Sequence, residues 1–222
     1  MKDVFRRRQK IDVPTLVQLQ GSRIDERVEA ESFVRQAFLT AYAARVEHFL
    51  PEFMALRNSS GHLLGVLGLR HPGSGPLFLE QYLELPVEQI LAAAISSPID
   101  RNDLMEVGNF AVGAAGGGRW LITALTAYLH AAGHGWAVFT CGPMLQNAFD
   151  RFGIKLVDLA AADPLHLSHE ESLRWGSYYE QKPRVMAANV NQSYAVLSAL
   201  FEKECLLSSL WLGALQAGRL AA

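Results

Sequence analysis

Residues 104–119 read LMEVGNFAVGAAGGGR, and this run decides the fold. Leu104 to Val112 is an apolar segment of strand length with one carboxylate, Glu106, near its middle. Six small residues follow, Gly113 to Gly118, and from Arg119 to about Ala132 the apolar spacing predicts a helix that Gly133 ends. A strand that turns through glycines into a helix gathers backbone N–H groups at the positive end of the helix dipole, where an anion is held. Arg119 adds a guanidinium suited to phosphate. Glycines also permit close packing, and the sequence leaves both readings open. The loop is not a P-loop, because no Lys-Ser or Lys-Thr follows it. As a dinucleotide fingerprint it fails too, because Leu121 stands where the third glycine belongs.

Outward from this run the chain alternates elements. Downstream, Trp136–Thr140 reads as a short buried strand and Met144–Phe152 as a helix closed by Gly153; Ile154–Leu159 and Arg184–Val190 are further strands. Upstream, Thr15–Leu19 is a strand candidate, and a helix is predicted from about Glu26 to Phe49, stopped by Pro51. Phe53–Arg57 and Leu63–Leu69 form a hairpin around Asn58-Ser-Ser-Gly61. Gly65 and Gly68 either weaken its second strand or admit close backbone approach. Past a Pro- and Gly-rich loop come Leu77–Tyr82 and a helix from about Pro86 to Ile95. An early hairpin followed by alternating strands and helices gives an α/β fold with a mixed sheet. Residues 1–190 read as one domain. Residues 191–222 read as a C-terminal helical extension, with Tyr194, Leu197, Leu200, Phe201, Leu207, Leu210, Trp211 and Leu215 on one face, packed on the domain or on the partner of a homodimer.

Composition narrows the function. Half of the 222 residues are hydrophobic and the net charge is −2, which gives no reason to expect a nucleic-acid partner. Lys2, Arg6, Arg7, Arg8 and Lys10 make the N-terminus basic, as a solvated arm does. Cys141 and Cys205 are too few for a disulfide framework or a CxxC site. The first residues lack the apolar core of a signal peptide, and Leu206–Ala217 is too short for a transmembrane segment, so a soluble, cytoplasmic protein is expected. His130 and His134, and likewise His166 and His169, have helical metal-ligand spacing but no nearby Cys or HExxH context, and no metal is expected. Cys141 follows a strand with no base in view and reads as a buried thiol.

The strand with its central Glu, the glycine pair Gly116 and Gly118, the helix, the short strand and the Asn147 to Gly153 helix end together resemble the acyl-CoA-binding core of the GNAT superfamily. Gly113 stands where that family usually has Gln or Arg. A larger share of the chain, about residues 30 to 190, resembles the thermostable hemolysin family. The carrying segments are Phe33-Val-Arg35, Ala41-Tyr42, Phe49-Leu-Pro51, Leu77–Leu83 with Pro86 and Glu88, Glu106-Val-Gly-Asn109, Phe139-Thr140, and Trp175–Tyr179 with Pro183. Glu106 to Val112 is also similar to a strand of acyl-homoserine-lactone synthases. These resemblances imply a GNAT-like mixed, mostly antiparallel central sheet flanked by helices. They also imply an acyl donor that is a coenzyme A thioester or a phosphopantetheine thioester on an acyl carrier protein.

On that reading the chain is an N-acyltransferase that moves an acyl group to a small-molecule amine. A non-catalytic GNAT-fold binding or regulatory protein and a cytolytic effector are the alternatives. Glu106 is the candidate base, because a carboxylate buried in a strand becomes more basic; a structural ion pair with Arg70 or Arg101 competes with that role. Asn109 would hold a substrate carbonyl or a water, or else cap the turn. The resemblance implies a Tyr at position 149 as the acid for the leaving thiolate, but Phe149 stands there, which moves the role to Tyr179 or Tyr178 or removes it. Phe110, Ala111, Val112, Gly113, Gly116, Gly117, Gly118 and Arg119 would hold the donor. Glu80 and Glu88 would meet a cationic amine or form a solvated face, and Tyr82 and Tyr178 would line the acceptor side.

Overall fold

The structure is a computed structural model that describes residues 14–20, 24–113, 117–201 and 208–222. The basic arm, Ala114, Ala115, Gly116, Cys205 and Leu207 lie outside the described residues. The strands are β1 (Leu16–Gln20), β2 (Glu52–Arg57), β3 (Leu63–Arg70), β4 (Leu104–Val112), β5 (Trp136–Cys141), β6 (Leu156–Ala161) and β7 (Arg184–Asn189). They form one sheet in the order β1-β2-β3-β4-β5-β7-β6. Every neighbouring pair is antiparallel except β4 and β5, so the mixed, mostly antiparallel sheet expected from the sequence is present. The β2–β3 turn is tied by Asn58, whose Oδ1 accepts from the backbone N–H of Ser60 and of His62.

Among the described residues the helices that flank the sheet are α1 (Ile24–Tyr42), α2 (Val87–Ile95), α3 (Gly117–Ala131), α4 (Pro143–Phe152), α5 (His169–Arg174), α6 (Val190–Phe201) and α7 (Ser208–Ala221). Residues Trp120 to Leu129 of α3 are buried without interruption, because the sheet takes one side and α6 and α7 the other. Leu197, Leu210, Trp211 and Ala214 belong to this core. At Gly218 a Cβ would stand 2.3 Å from the carbonyl oxygen of Tyr128, so α7 lies against α3 as closely as two backbones allow. The opposite face of the sheet carries α1 and α2.

Helix α1 is shorter than predicted. It stops at Tyr42 because Ala43 is left-handed, with φ 53°, and the chain to Leu50 then runs without helix. No glycine or proline marks position 43, and the Ala41, Tyr42 and Val46 spacing imitates a further helical turn. Ala44 and Val46 are in fact buried at the two-residue spacing of extended chain. In the C-terminal stretch, read from the sequence as a helical extension from residue 191, the described residues form α6 and α7. Leu77–Tyr82 contains a 3-10 turn, Phe78–Tyr82.

Candidate active site

Strands β4 and β5 part company midway. They pair from Leu104 with Trp136 to Val107 with Phe139. Beyond that point β4 runs to Val112 beside β3 alone, and β5 runs to Cys141 beside β7. Backbone groups on the β5 side of β4, from Gly108 onward, therefore face an opening between strands. A β-bulge bends β4 here: three steps from Gly108 to Ala111 match two steps from Gly68 to Val66. The extra residue is Asn109, at φ 49°, a conformation that asparagine tolerates better than most residues.

The Asn109 amide is occupied on both sides. Oδ1 accepts from the backbone N–H of Leu50 at 2.9 Å, and Nδ2 donates to the carbonyl of His48 at 3.2 Å. Asn109 thus pins residues 48–50 across the sheet. A Cβ at Gly68 would stand 2.8 Å from Asn109 Oδ1 and 2.9 Å from Leu50 Cβ, which settles Gly68 as a close-approach glycine. Asn109→Leu should lower the melting temperature markedly: it orphans the Leu50 N–H, at about 1–3 kcal/mol, and strains a left-handed residue by about 1–2 kcal/mol. Asn109→Gly, free of the strain, should melt between the two.

Glu106 looks away from α3. Its neighbours Met105 and Val107 join the α3-side core and Leu104 the α2-side cluster, so alternation turns Glu106 to the face of α1 and α2. That face holds two separate apolar clusters, one under α2 and one under α1, and Glu106 and Gly108 stand on β4 between them. Glu106 is 3% exposed. Oε2 accepts from the Phe78 N–H at 2.9 Å and Oε1 from the Leu79 N–H at 2.8 Å, while Arg70 Nε is 3.8 Å from Oε2. Burial raises its pKa, and the two amides and Arg70 pull the other way without cancelling that rise. The carboxylate is thus a base stronger than an exposed glutamate and also the clasp of the Phe78–Tyr82 turn.

Glu80 is not free for a substrate amine. Arg101 binds it with two guanidinium nitrogens, at 2.6 and 2.9 Å, and the N–H groups of Leu77 and Val87 donate to it as well. The hydrogen bonds from Arg101 hold its pKa down to about 2. Glu88 shares the same Arg101 at 2.6 Å. A cation already occupies the place the sequence assigned to a ligand.

On the same face, the Tyr82 and Tyr179 hydroxyls lie 2.5 Å apart. Tyr178 packs among Phe38, Tyr42, Trp175 and Tyr179. Burial raises the pKa of all three tyrosines, so each hydroxyl keeps its proton at neutral pH. Phe149 stacks on Phe139 in the α3-side core. Thr140, quoted above only for the family resemblance, has a place at the site as well. It is half-buried on β5, one residue beyond the last β4 pairing, and alternation from Val138 turns it to the face of Glu106. Only the parting of the strands makes its hydroxyl notable, and sequence carries no sign of that.

At the glycine turn, Gly113 donates its N–H to the Leu64 carbonyl at 3.0 Å, so this group serves β3 rather than an anion. Gly117 sits in tight packing, since a Cβ would meet Val112 Cβ at 3.2 Å and the Leu64 oxygen at 3.4 Å. Gly118 is not crowded: Phe110 is its nearest contact, at 3.8 Å. Phe110 packs on the α3-side core, Ala111 is buried under α1, and Val112 ends the strand exposed. Arg119 is exposed, with its guanidinium 4.7 Å from the Trp120 ring centre. Gly118, Arg119 and the first turn of α3 are what the described residues offer to a phosphate.

Cys141 is buried, and burial pushes its thiol up to about 12. His130 bonds Asn191 while His134 packs beside His71, so the two do not converge. Among the described residues no three metal-donor side chains meet, and no helix is long and apolar enough to cross a membrane.

The family model described as thermostable hemolysin matches residues 21–194. No curated protein sequence matches the chain. Several solved structures share its fold. BjaI, a CoA-dependent acyl-homoserine lactone synthase solved with SAM and isopentyl-CoA, has TM-score 0.58 and 14% identity over 90% of this chain and 99% of that one. The AHL synthase LasI has TM-score 0.56 and 13% identity over 83% of this chain and 94% of that one. FeeM, an N-acyl amino acid synthase from uncultured soil microbes, has TM-score 0.53 and 17% identity over 84% of this chain and 97% of that one.

Proposed function

This chain belongs to the thermostable hemolysin family, and from that premise we propose that it is an N-acyltransferase that moves an acyl group from a thioester to a small-molecule amine. The observation that carries the reading is the parting of β4 from β5 beside a buried carboxylate. A strand edge left open from Gly108 onward suits a ligand that carries its own amides, as the pantetheine arm of coenzyme A or of an acyl carrier protein does. Gly118, Arg119 and the α3 N-terminus fit the phosphate end of such a donor. Glu106 takes the proton that the amine sheds, directly or through one water. Tyr179, with its proton retained and Tyr82 at its hydroxyl, is the residue suited to protonate the departing thiolate.

The likeness to acyl-homoserine-lactone and N-acyl amino acid synthases supports the donor class through the shared fold. A binding screen of coenzyme A, long-chain acyl-CoA and acylated carrier protein, followed by release of free thiol with a panel of amines, tests the proposal. Expected are saturable binding of at least one thioester and thiol release that depends on an amine. Absence of both across the panel would remove the acyltransferase reading.

A further inference from the structure

A hollow of about 330 Å³ lies beyond the tyrosine pair, between Tyr82, Leu83, Leu85, Ile90, Ala160 and His166. The chemistry above makes no use of it. Its place relative to the parted strands follows from the topology. The Cys141 end of β5, the Ala161 end of β6 and the Arg184 start of β7 lie at one end of the sheet, since Cys141 and Ala161 both pair with Arg184. The opening between β4 and β5 faces that same end. Tyr178–Gln181 forms the turn entering β7, and Gln181 lies over Gly142, just past β5. From this turn Tyr179 reaches the Tyr82 hydroxyl, and Tyr82 is itself a wall of the hollow.

We infer that the hollow receives the apolar tail of the acyl donor, with the hydrogen-bonded Tyr82–Tyr179 pair at the border past which the tail runs from the opening of β4 and β5. The inference rests on the thioester reading and names the part of the substrate that sets specificity. Three observations carry it. The volume lies at the small end of ligand pockets, roughly 300–1,000 Å³, and suits one alkyl chain. The side chains of Leu83, Leu85, Ile90 and Ala160, four of its lining residues, are hydrocarbon. Leu85, one wall of the hollow, is 55% exposed, an apolar surface that a ligand in the hollow would cover. Exposed Glu84 at the rim disfavours a free carboxylate there, so a neutral chain end is the part that fits.

The test uses the whole protein, two filling variants, Ile90→Trp and Ala160→Phe, and two readouts. Straight-chain alcohols from butanol to dodecanol are titrated calorimetrically, a probe that needs no thioester chemistry. Affinity should rise about fourfold per methylene, the equilibrium equivalent of burying one CH2, and then level off as the hollow fills. Each variant should level off at a shorter chain. Acyl donors of graded length are then compared by thiol release, and the filling variants should lose the longer donors by tenfold or more while keeping the shortest. Thiol release with an unchanged length profile in both folded variants would overturn the inference and leave the acyltransferase proposal standing. Alcohol binding that shifts with the variants, in a protein that consumes no thioester, would confirm the cavity as an alkyl-chain site and remove the transferase instead. Alcohols that show no length dependence would overturn the inference outright.

Discussion

Glu106→Gln is expected to lower the maximal rate of thiol release by roughly 10²–10⁴, the range that loss of a positioned general base produces. It is also expected to melt at a lower temperature. Both carboxylate oxygens accept backbone N–H groups, from Phe78 and Leu79. Glutamine supplies one acceptor and one donor, so one of these amides faces another N–H, a loss of about 1–3 kcal/mol. The substitution therefore costs stability as well as rate. Rate per folded molecule separates the roles: near-normal turnover in the folded fraction would make Glu106 the clasp of the Phe78–Tyr82 turn and nothing more. The pH dependence adds a signature. Because burial raises the pKa of Glu106, the acid limb of the rate profile should lie above the ordinary glutamate value of about 4.3, and Glu106→Gln should abolish it. Stability runs in the opposite sense. For a raised pKa the contribution is fully present below the unfolded value and is lost as pH rises through the folded one.

Ending the chain after Gln192 should prevent folding rather than merely change solubility or assembly. Leu197, Leu210, Trp211 and Ala214 are core residues against α3, and α7 also meets β1. Removing three large buried side chains together exceeds the about 2–5 kcal/mol that a single large-to-alanine change in a core removes, and a domain has only about 5–15 kcal/mol to lose. Circular dichroism and a thermal melt of the truncated chain decide this. A cooperative transition near that of the full chain would show the C-terminal helices to be an accessory.

Elements with a clean local pattern were legible in the sequence. The β2–β3 hairpin, α2, α3 and α4 with its Gly153 stop need only periodicity and end signals, and each lies within a few residues of its expected place. The end of α1 was not legible, because a left-handed Ala43 has no compositional mark. The candidate site divides the same way. Glu106 stood out as a charge inside an apolar strand. Asn109, Gly113 and Glu80 took their partners from residues far along the chain, His48 and Leu50, Leu64, and Arg101. Sequence spacing shows which side chains are chemically able, and only tertiary pairing shows which are already engaged. The bulge hid the most, since one extra residue in β4 returns Phe110 to the α3 side and changes which later positions face the opening.

The unbroken burial of α3 from Trp120 to Leu129 ties distant parts of this molecule together. The element whose first turn offers itself to a phosphate is also the innermost rod of the molecule, gripped by the sheet on one side and by α7 on the other. Its position is therefore set in part by α7, none of whose residues belongs to the site described above. A larger residue at Gly218, where α7 presses on Tyr128 and Ala131, would force the two helices apart and shift that first turn. A substitution in α7, away from the parted strands, would thus be felt at the first turn of α3, where the proposed donor's phosphate end would lie.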